Sequence, residues 1–141
     1  MAKFKKFDAT QKSTFSYWYY HWKAYNYTAW KLGVWRFKYL LHDIEKPWLK
    51  LFWGDYLRVR KWHKFHNKHH IFYGRLHGIN KVDWLAAVID WECSHLTKDL
   101  AVRNGREEVY YLISDECKKY TAEEKAEIKK NCIPILDTLG L

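Results

Sequence analysis

DWLAAVIDWECSHLTKDL, residues 83–100, is the stretch on which the fold turns. Its centre, LAAVIDWEC (85–93), is an apolar run without the alternation of a strand, and Asp83 stands at its head as an N-cap or first-turn residue. A helix over 83–100 is therefore expected. Ala86 and Ala87 are small enough to let neighbouring helices approach. Asp90 is the anomaly, because an unpaired carboxylate inside such a run is costly to bury. A metal ion, or a salt bridge to Lys or Arg, would resolve that cost.

Working outward, the same helical character recurs. Thr121 and Glu124 form a T-x-x-E capping box for a helix over 122–139, which Pro134 is expected to kink. Asn104-Gly105 reads as a stop signal, followed by an amphipathic helix over REEVYYLISDECKKY. The glycine-bearing YGRLHGINK is a loop. Upstream, Ser13 or Thr14 caps a helix running to about Lys31, with Tyr17, His21, Tyr25 and Thr28 on one face. Gly33 marks a break. A second helix is expected over 34–46, with Val34, Phe37 and Leu41 on one face and Lys38 and His42 one step along it. A third helical region is expected over 48–71. Residues 1–12 read as a basic, poorly ordered lead-in, and 13–141 as one all-α domain of five to six helices. There is no internal repeat, low-complexity tract or long linker.

Composition agrees. The 141 residues suffice for one domain with a real core. Hydrophobic residues make up 48%, and nine Trp and eleven Tyr supply bulk that a domain this size must mostly bury. Six Gly and two Pro disfavour a turn-rich β fold. No stretch reaches the roughly 18 apolar residues of a membrane span. MAKFKKFDATQK lacks the apolar segment of a secretory signal, which points to the cytoplasm. Cys93, Cys117 and Cys132 form no CxxC pair and read as reduced thiols, not as a thiolate metal site.

The net charge of +9 is lopsided. Residues 1–75 carry sixteen Lys/Arg against four Asp/Glu, whereas residues 76–141 carry nine against twelve. The basic part would concentrate polyanions or phosphorylated small molecules. A plain solvated face that aids solubility is the alternative.

That basic part also holds KYLLHDIEKP (38–47) and most of the eight histidines. His42 and Asp43 offer one ion an imidazole nitrogen and a carboxylate oxygen from a single helical turn. Lys46, three residues after Asp43, is placed to reach an anion held by that ion, and Pro47 bounds the helix. Metal ligands converge from different elements. The candidates do so: His21 from the first helix, His42 and Asp43 from the second, His63, His69 and His70 from the third, and Asp90 from the fourth. A hydrogen-bonded packing role is the alternative for His21, and the expected role for His77 and His95.

The order H…HD…HH…D resembles the HD-domain superfamily of metal-dependent phosphohydrolases, which are all-helical. HDIEKP is similar to the HD-x-x-K-P segment of part of that superfamily, where the Lys lies near the substrate phosphate. A closer resemblance is to a small family of uncharacterised HD-like proteins of phages and bacteria. Its pattern is an early His, HD with a following Lys, H-x-x-x-N-x-H-H, then D-W. Here these are His21; His42, Asp43 and Lys46; His63, Asn67, His69 and His70; Asp90 and Trp91. The match covers about residues 21–95. Glu45 replaces a small residue, Ala86 stands where an acidic residue is expected, and the gap from His21 to His42 is short.

The resemblance implies one ion held by His21, His42, Asp43 and Asp90. A second would use His69 and His70, with His63 as a further candidate and Asp43 bridging. It implies hydrolysis of a phosphomonoester or phosphodiester by metal-activated water, with Lys46 stabilising the phosphate charge. The mixed His/carboxylate set fits Mn, Fe, Co, Ni or Zn. A nucleotide-like substrate is expected, with Trp22, Trp48 or Trp62 as candidates to stack its base. Two other classes fit the chain. One is a non-catalytic nucleic-acid or nucleotide binder that uses the basic, aromatic-rich half. The other is a phage protein that engages a host partner around a structural metal.

Overall fold

The structure, a computed structural model, describes residues 4–11, 14–66, 70, 80–98 and 103–141. Among these it is all-helical: α1 (Phe15–Lys31), α2 (Glu45–Trp53), α3 (Tyr56–His66), α4 (Lys81–Thr97), α5 (Gly105–Ile113) and α6 (Ala122–Leu139), with short 3-10 turns at Ala9–Gln11 and Phe37–Leu41. No strand forms among the described residues. None of their helices is long and apolar enough to cross a membrane.

α4 is the central element, and its apolar run has two faces to bury. Ile89 and Cys93 pack on Ala24, Tyr25 and Ala29 of α1. Trp84, Ala87 and Val88 pack on Val109 and Leu112 of α5 and on Ile128, Cys132 and Leu136 of α6. Ala87, like Ala24 and Ala29, is fully buried, as its small side chain at a helix contact leads one to expect. The three cysteines carry free thiols, and all are buried as small apolar side chains.

The ends of the helices follow from local chemistry. Thr14 caps α1 by accepting from the Tyr17 N–H at 3.1 Å. Gly33, at φ +74°, closes it in a Schellman motif, with Gly33 N–H on Trp30 O at 3.0 Å and Val34 N–H on Ala29 O at 2.9 Å. Tyr17, His21, Tyr25 and Thr28 are all buried, so the face read from their spacing is the packed one. α6 begins at Thr121 with the expected capping box and runs through Pro134 to Leu139.

Four boundaries differ from expectation. The expected second helix, 34–46, is a 3-10 turn at Phe37–Leu41 followed by a break at His42–Ile44, and α2 begins only at Glu45. Pro47 accordingly lies in the first turn of α2, where its missing N–H costs nothing, and does not bound a helix. The expected third helix is two, divided by Gly54 at φ +65°. α4 starts two residues early, at Lys81: Asn80 is the N-cap, and Asp83 takes the second of its two expected roles, a first-turn residue that closes the capping box. Asn104-Gly105 starts a helix instead of only stopping one. Asn104 caps α5 in a capping box with Glu107, and α5 ends at Ile113, so SDECKKY lies outside it. A Cβ at Gly105 would stand 2.9 Å from Glu92 Oε2, the mobile end of that side chain, and 3.3 Å from Glu92 Cβ, so the Glu92 side chain would have to shift to admit one.

The lead-in is anchored through Phe4, whose ring packs 5.4 Å from that of Tyr27, and through Phe7. Phe7 is buried, and its N–H donates to Thr97 O at 2.8 Å beside an isolated bridge to Lys98.

Candidate metal centre

His42 and Asp43 lie outside any regular helix, in the turn between Phe37–Leu41 and α2. Adjacent helical residues point about 100° apart around the axis. The break between the 3-10 turn and α2 frees them from that spacing. Asp43 is the one described non-glycine residue with positive φ, at +55°, a left-handed conformation that Asp tolerates better than most side chains. The chain reverses there and brings both side chains to one point.

A stripe on α1 holds this reversal. Trp18 Nε1–H donates to Asp43 O at 2.8 Å. One turn on, Trp22 Nε1–H donates to Leu40 O at 2.9 Å, and another turn on Asn26 Nδ2–H donates to Tyr39 O at 3.0 Å. Trp22 therefore braces backbone and does not lie ready for a base. Of the other proposed stacking residues, Trp62 stacks on His66, and Trp48 is exposed on α2. The i, i+4, i+8 spacing of Trp18, Trp22 and Asn26, beside the His21 face, was the signal for this stripe in the sequence.

The donor atoms converge. His21 Nε2 lies 3.1 Å from Asp90 Oδ1, 3.3 Å from His42 Nε2 and 3.6 Å from Asp43 Oδ2. His42 Nε2 lies 3.6 Å from Asp43 Oδ2 and 3.7 Å from Asp90 Oδ1. Ligands about 2.0–2.2 Å from one ion stand about 2.8–3.6 Å apart, with octahedral geometry at the short end and tetrahedral at the long end. The observed spacings match that range to within about 0.1 Å. Asp90 Oδ1 is sealed from solvent and faces the two ring nitrogens. Stacking fixes the His42 ring, which lies on Tyr25 at 3.7 Å between centroids and 9° between planes. Among the described residues the buried trio His21, His42 and Asp43 could hold a metal ion, and His21 also stands in ligand range of Asp90 and Cys93.

A second group adjoins the first through Asp43. His63 Nε2 lies 3.0 Å from Asp43 Oδ1 and 2.8 Å from His70 Nε2, while His63 Nδ1 contacts Glu45 Oε1. Glu45 orients the His63 ring, as carboxylates behind metal-bound histidines commonly do. Glu45→Gln is expected to leave the helices intact and weaken metal binding about 10–100-fold, measured by competition with a chelator of known affinity. Unchanged affinity would remove Glu45 from the site. His69 and His77 lie outside the described residues. His95 is packed against Glu92 O and takes no part.

Charge balance explains how two carboxylates survive here. Burial pushes Asp43 up, but His42, Lys46 and His63 outweigh it and hold its carboxyl well below the usual range. Burial likewise raises Asp90, and the His21 and His42 rings beside it reverse the shift and hold its carboxyl well below the usual range. Burial lowers His63, but Asp43 and Glu45 raise it above the ordinary 6.5. Burial and the charge of Asp90 push the Cys93 thiol well up, so it stays protonated; it donates to Asp90 O.

A pH dependence follows for the metal-free protein. The depressed carboxylates contribute stability above their unfolded pKa of 3.8 and lose it as pH falls. The raised His63 contributes fully below 6.5 and loses its part as pH rises through its folded pKa. Metal-free stability is therefore expected to peak between about pH 4 and 6.5. Urea midpoints at pH 3.5, 5.5 and 8 check this; a midpoint highest at pH 8 would contradict it.

Lys46 points into the site, with Nζ 2.7 Å from Asp43 Oδ2. A polar pocket of about 120 Å³ opens beside the donors, and Lys46, Arg60, Lys64 and Lys98 supply its cations. Burial, then Arg60, Lys119 and Lys46, lowers the pKa of Lys64, as expected where cations crowd.

The chain matches no protein family, no curated protein and no solved structure. The chemistry of the centre is thus read from its own atoms.

Proposed function

We propose that this protein is a metal-dependent phosphoester hydrolase. The observation that carries the proposal is the convergence of His21, His42, Asp43 and Asp90 at metal-ligand spacing beside a pocket rich in cations. These four residues would hold one divalent ion, and His63 and His70 with Asp43 would suit a second. The imidazole and carboxylate donors favour Mn, Fe, Co, Ni or Zn over Mg. A bound ion would supply hydroxide at neutral pH by lowering the pKa of its water from 15.7 to about 7.

The chain's own residues do the rest. Lys46 offers a compact ammonium to the phosphate, and charge on the phosphoryl oxygens that builds during hydrolysis strengthens that contact. Arg60, Lys64 and Lys98 add positive potential that draws an anion in. Tyr25 and Glu45 hold the His42 and His63 rings, so the donors need not reorganise. Fold likeness to HD-domain proteins, an expectation from the motifs, is part of the same proposal.

A purely basic binding module is favoured less, since phosphate contacts require neither a buried Asp43 nor an Asp90 carboxylate held against the His21 ring. The test is phosphate release from mono- and diesters by protein stripped with chelator and reloaded singly with Mn, Fe, Co, Ni or Zn. Metal-dependent turnover supports the proposal. Chelator-induced loss of helicity without turnover on any ester would indicate a structural ion instead. Salt-sensitive nucleic-acid binding that ignores chelator, again without turnover, would indicate the binder.

A further inference from the structure

A second pocket, of about 390 Å³, lies against the polar pocket, and Tyr17, His21, Asp43, Lys46 and Tyr56 line both. Beyond those shared residues the larger pocket is walled by Thr14, Phe15, Trp18, Pro47, Lys50 and Leu51. Its size suits a small organic group.

The chemistry of that outer wall is unlike a nucleoside site. A base edge is read by directional donors and acceptors, and a ribose by paired hydroxyl contacts. Among the described residues the outer wall holds no Asn, Gln, Ser, Asp, Glu or Arg, and its one cation is Lys50. The Thr14 hydroxyl is already used in both directions, donating to Gln11 O at 2.7 Å and accepting from Tyr17 N–H at 3.1 Å. The Trp18 indole N–H is spent on Asp43 O. What remains is mainly apolar surface. At the wall, Phe15 is 64% and Leu51 74% exposed. Large apolar side chains left open on a pocket leading to a cationic site suit an amphiphile that covers them.

We propose that the phosphate ester handled at this centre is that of an apolar alcohol, alkyl or aryl, with the phosphate in the cationic pocket and the hydrocarbon along Phe15, Trp18, Pro47 and Leu51. This rests on the hydrolase proposal for its chemistry but not for its binding. In hydrolysis the P–O bond to the alcohol breaks, water supplies the new P–O bond, and the departing alkoxide takes up a proton.

The experiment is calorimetric binding of inorganic phosphate, butyl phosphate, octyl phosphate, phenyl phosphate and AMP to the Mn-loaded protein, below any micellar concentration. Each buried CH₂ is expected to tighten binding about two- to fourfold, so octyl phosphate binds on the order of 10²-fold tighter than butyl phosphate. Phenyl phosphate in place of octyl as the tightest ligand would assign the pocket to aryl esters and also supports the proposal. Leu51→Ser and Phe15→Ser, both at exposed positions and both without a change of charge, should flatten the chain-length dependence and leave inorganic phosphate binding unchanged. Affinity independent of chain length, or AMP binding more tightly than both octyl and phenyl phosphate, would overturn the proposal. Chain-length-dependent binding without turnover on any metal would uphold this site and count against hydrolysis.

Discussion

Asp43→Asn is expected to abolish metal binding and turnover together while the helices survive. Asp43 is the residue common to both donor groups: Oδ2 faces His21 and His42, and Oδ1 faces His63. Replacing one carboxylate oxygen by an amide removes the negative charge on which either ion would depend. Outer-shell changes alone cost about 10–100-fold in metal affinity, so loss of a direct ligand should exceed about 100-fold. Without the ion, water returns toward its own pKa of 15.7, and hydrolysis should fall by about 10³-fold or more. The choice of Asn matters because position 43 has φ +55°. Asn tolerates that conformation, whereas Ala pays roughly 1–2 kcal/mol for it. Asp43→Gly serves as the second variant, since it relaxes the backbone and still lacks the ligand. Elemental analysis, phosphate release and circular dichroism on both variants decide the matter. Metal retained at wild-type stoichiometry in both would remove Asp43 from the centre and with it the proposed chemistry.

Tyr25→Ala should have the largest effect on stability. Tyr25 is 1% exposed, stacks on His42 and meets Tyr39 edge-on with centroids 5.3 Å apart. Removing a buried ring of this size leaves a cavity where α1, α4 and the 3-10 turn meet, at a cost of about 3–5 kcal/mol. That is a large share of the roughly 5–15 kcal/mol by which a domain is usually stable. The same substitution frees the His42 ring, so metal affinity should fall as well. Tyr25→Phe separates the two contributions of the side chain. It keeps the ring and gives up only a long hydrogen bond of 3.4 Å to Ala86 O, so it should cost less than about 1 kcal/mol and retain metal. Urea denaturation of both variants with and without metal checks this. A cost under about 1 kcal/mol for Tyr25→Ala would mean that the cluster repacks and that the stacking does not position His42.

The helical class was legible because it rests on local chemistry. Thr121 with Glu124 announces α6, Thr14 and Gly33 bracket α1, and the run around Ala87 and Ile89 can only be a helix buried on more than one side. Boundaries failed where one residue type serves two opposite local roles. Asn104-Gly105 suits a helix end as well as a start, and the Glu107 side chain that decides between them acts across a turn. Glu45 read as a departure from a motif, because its partner His63 is 18 residues away and meets it only across α2 and α3.

The order of residues supplies the chemical types: histidines and carboxylates in an order that suits metal binding, a lysine three residues after Asp43, and an excess of cations in the first half. Their assembly was a tertiary decision. His21 and Asp90 are brought together by α1 packing on α4, and His42 and Asp43 are aimed at one point only because the chain breaks in a left-handed turn pinned by Trp18. Spacing encodes the direction of a side chain within a regular helix. It is silent where the helix stops, and there the long-range contacts set the geometry.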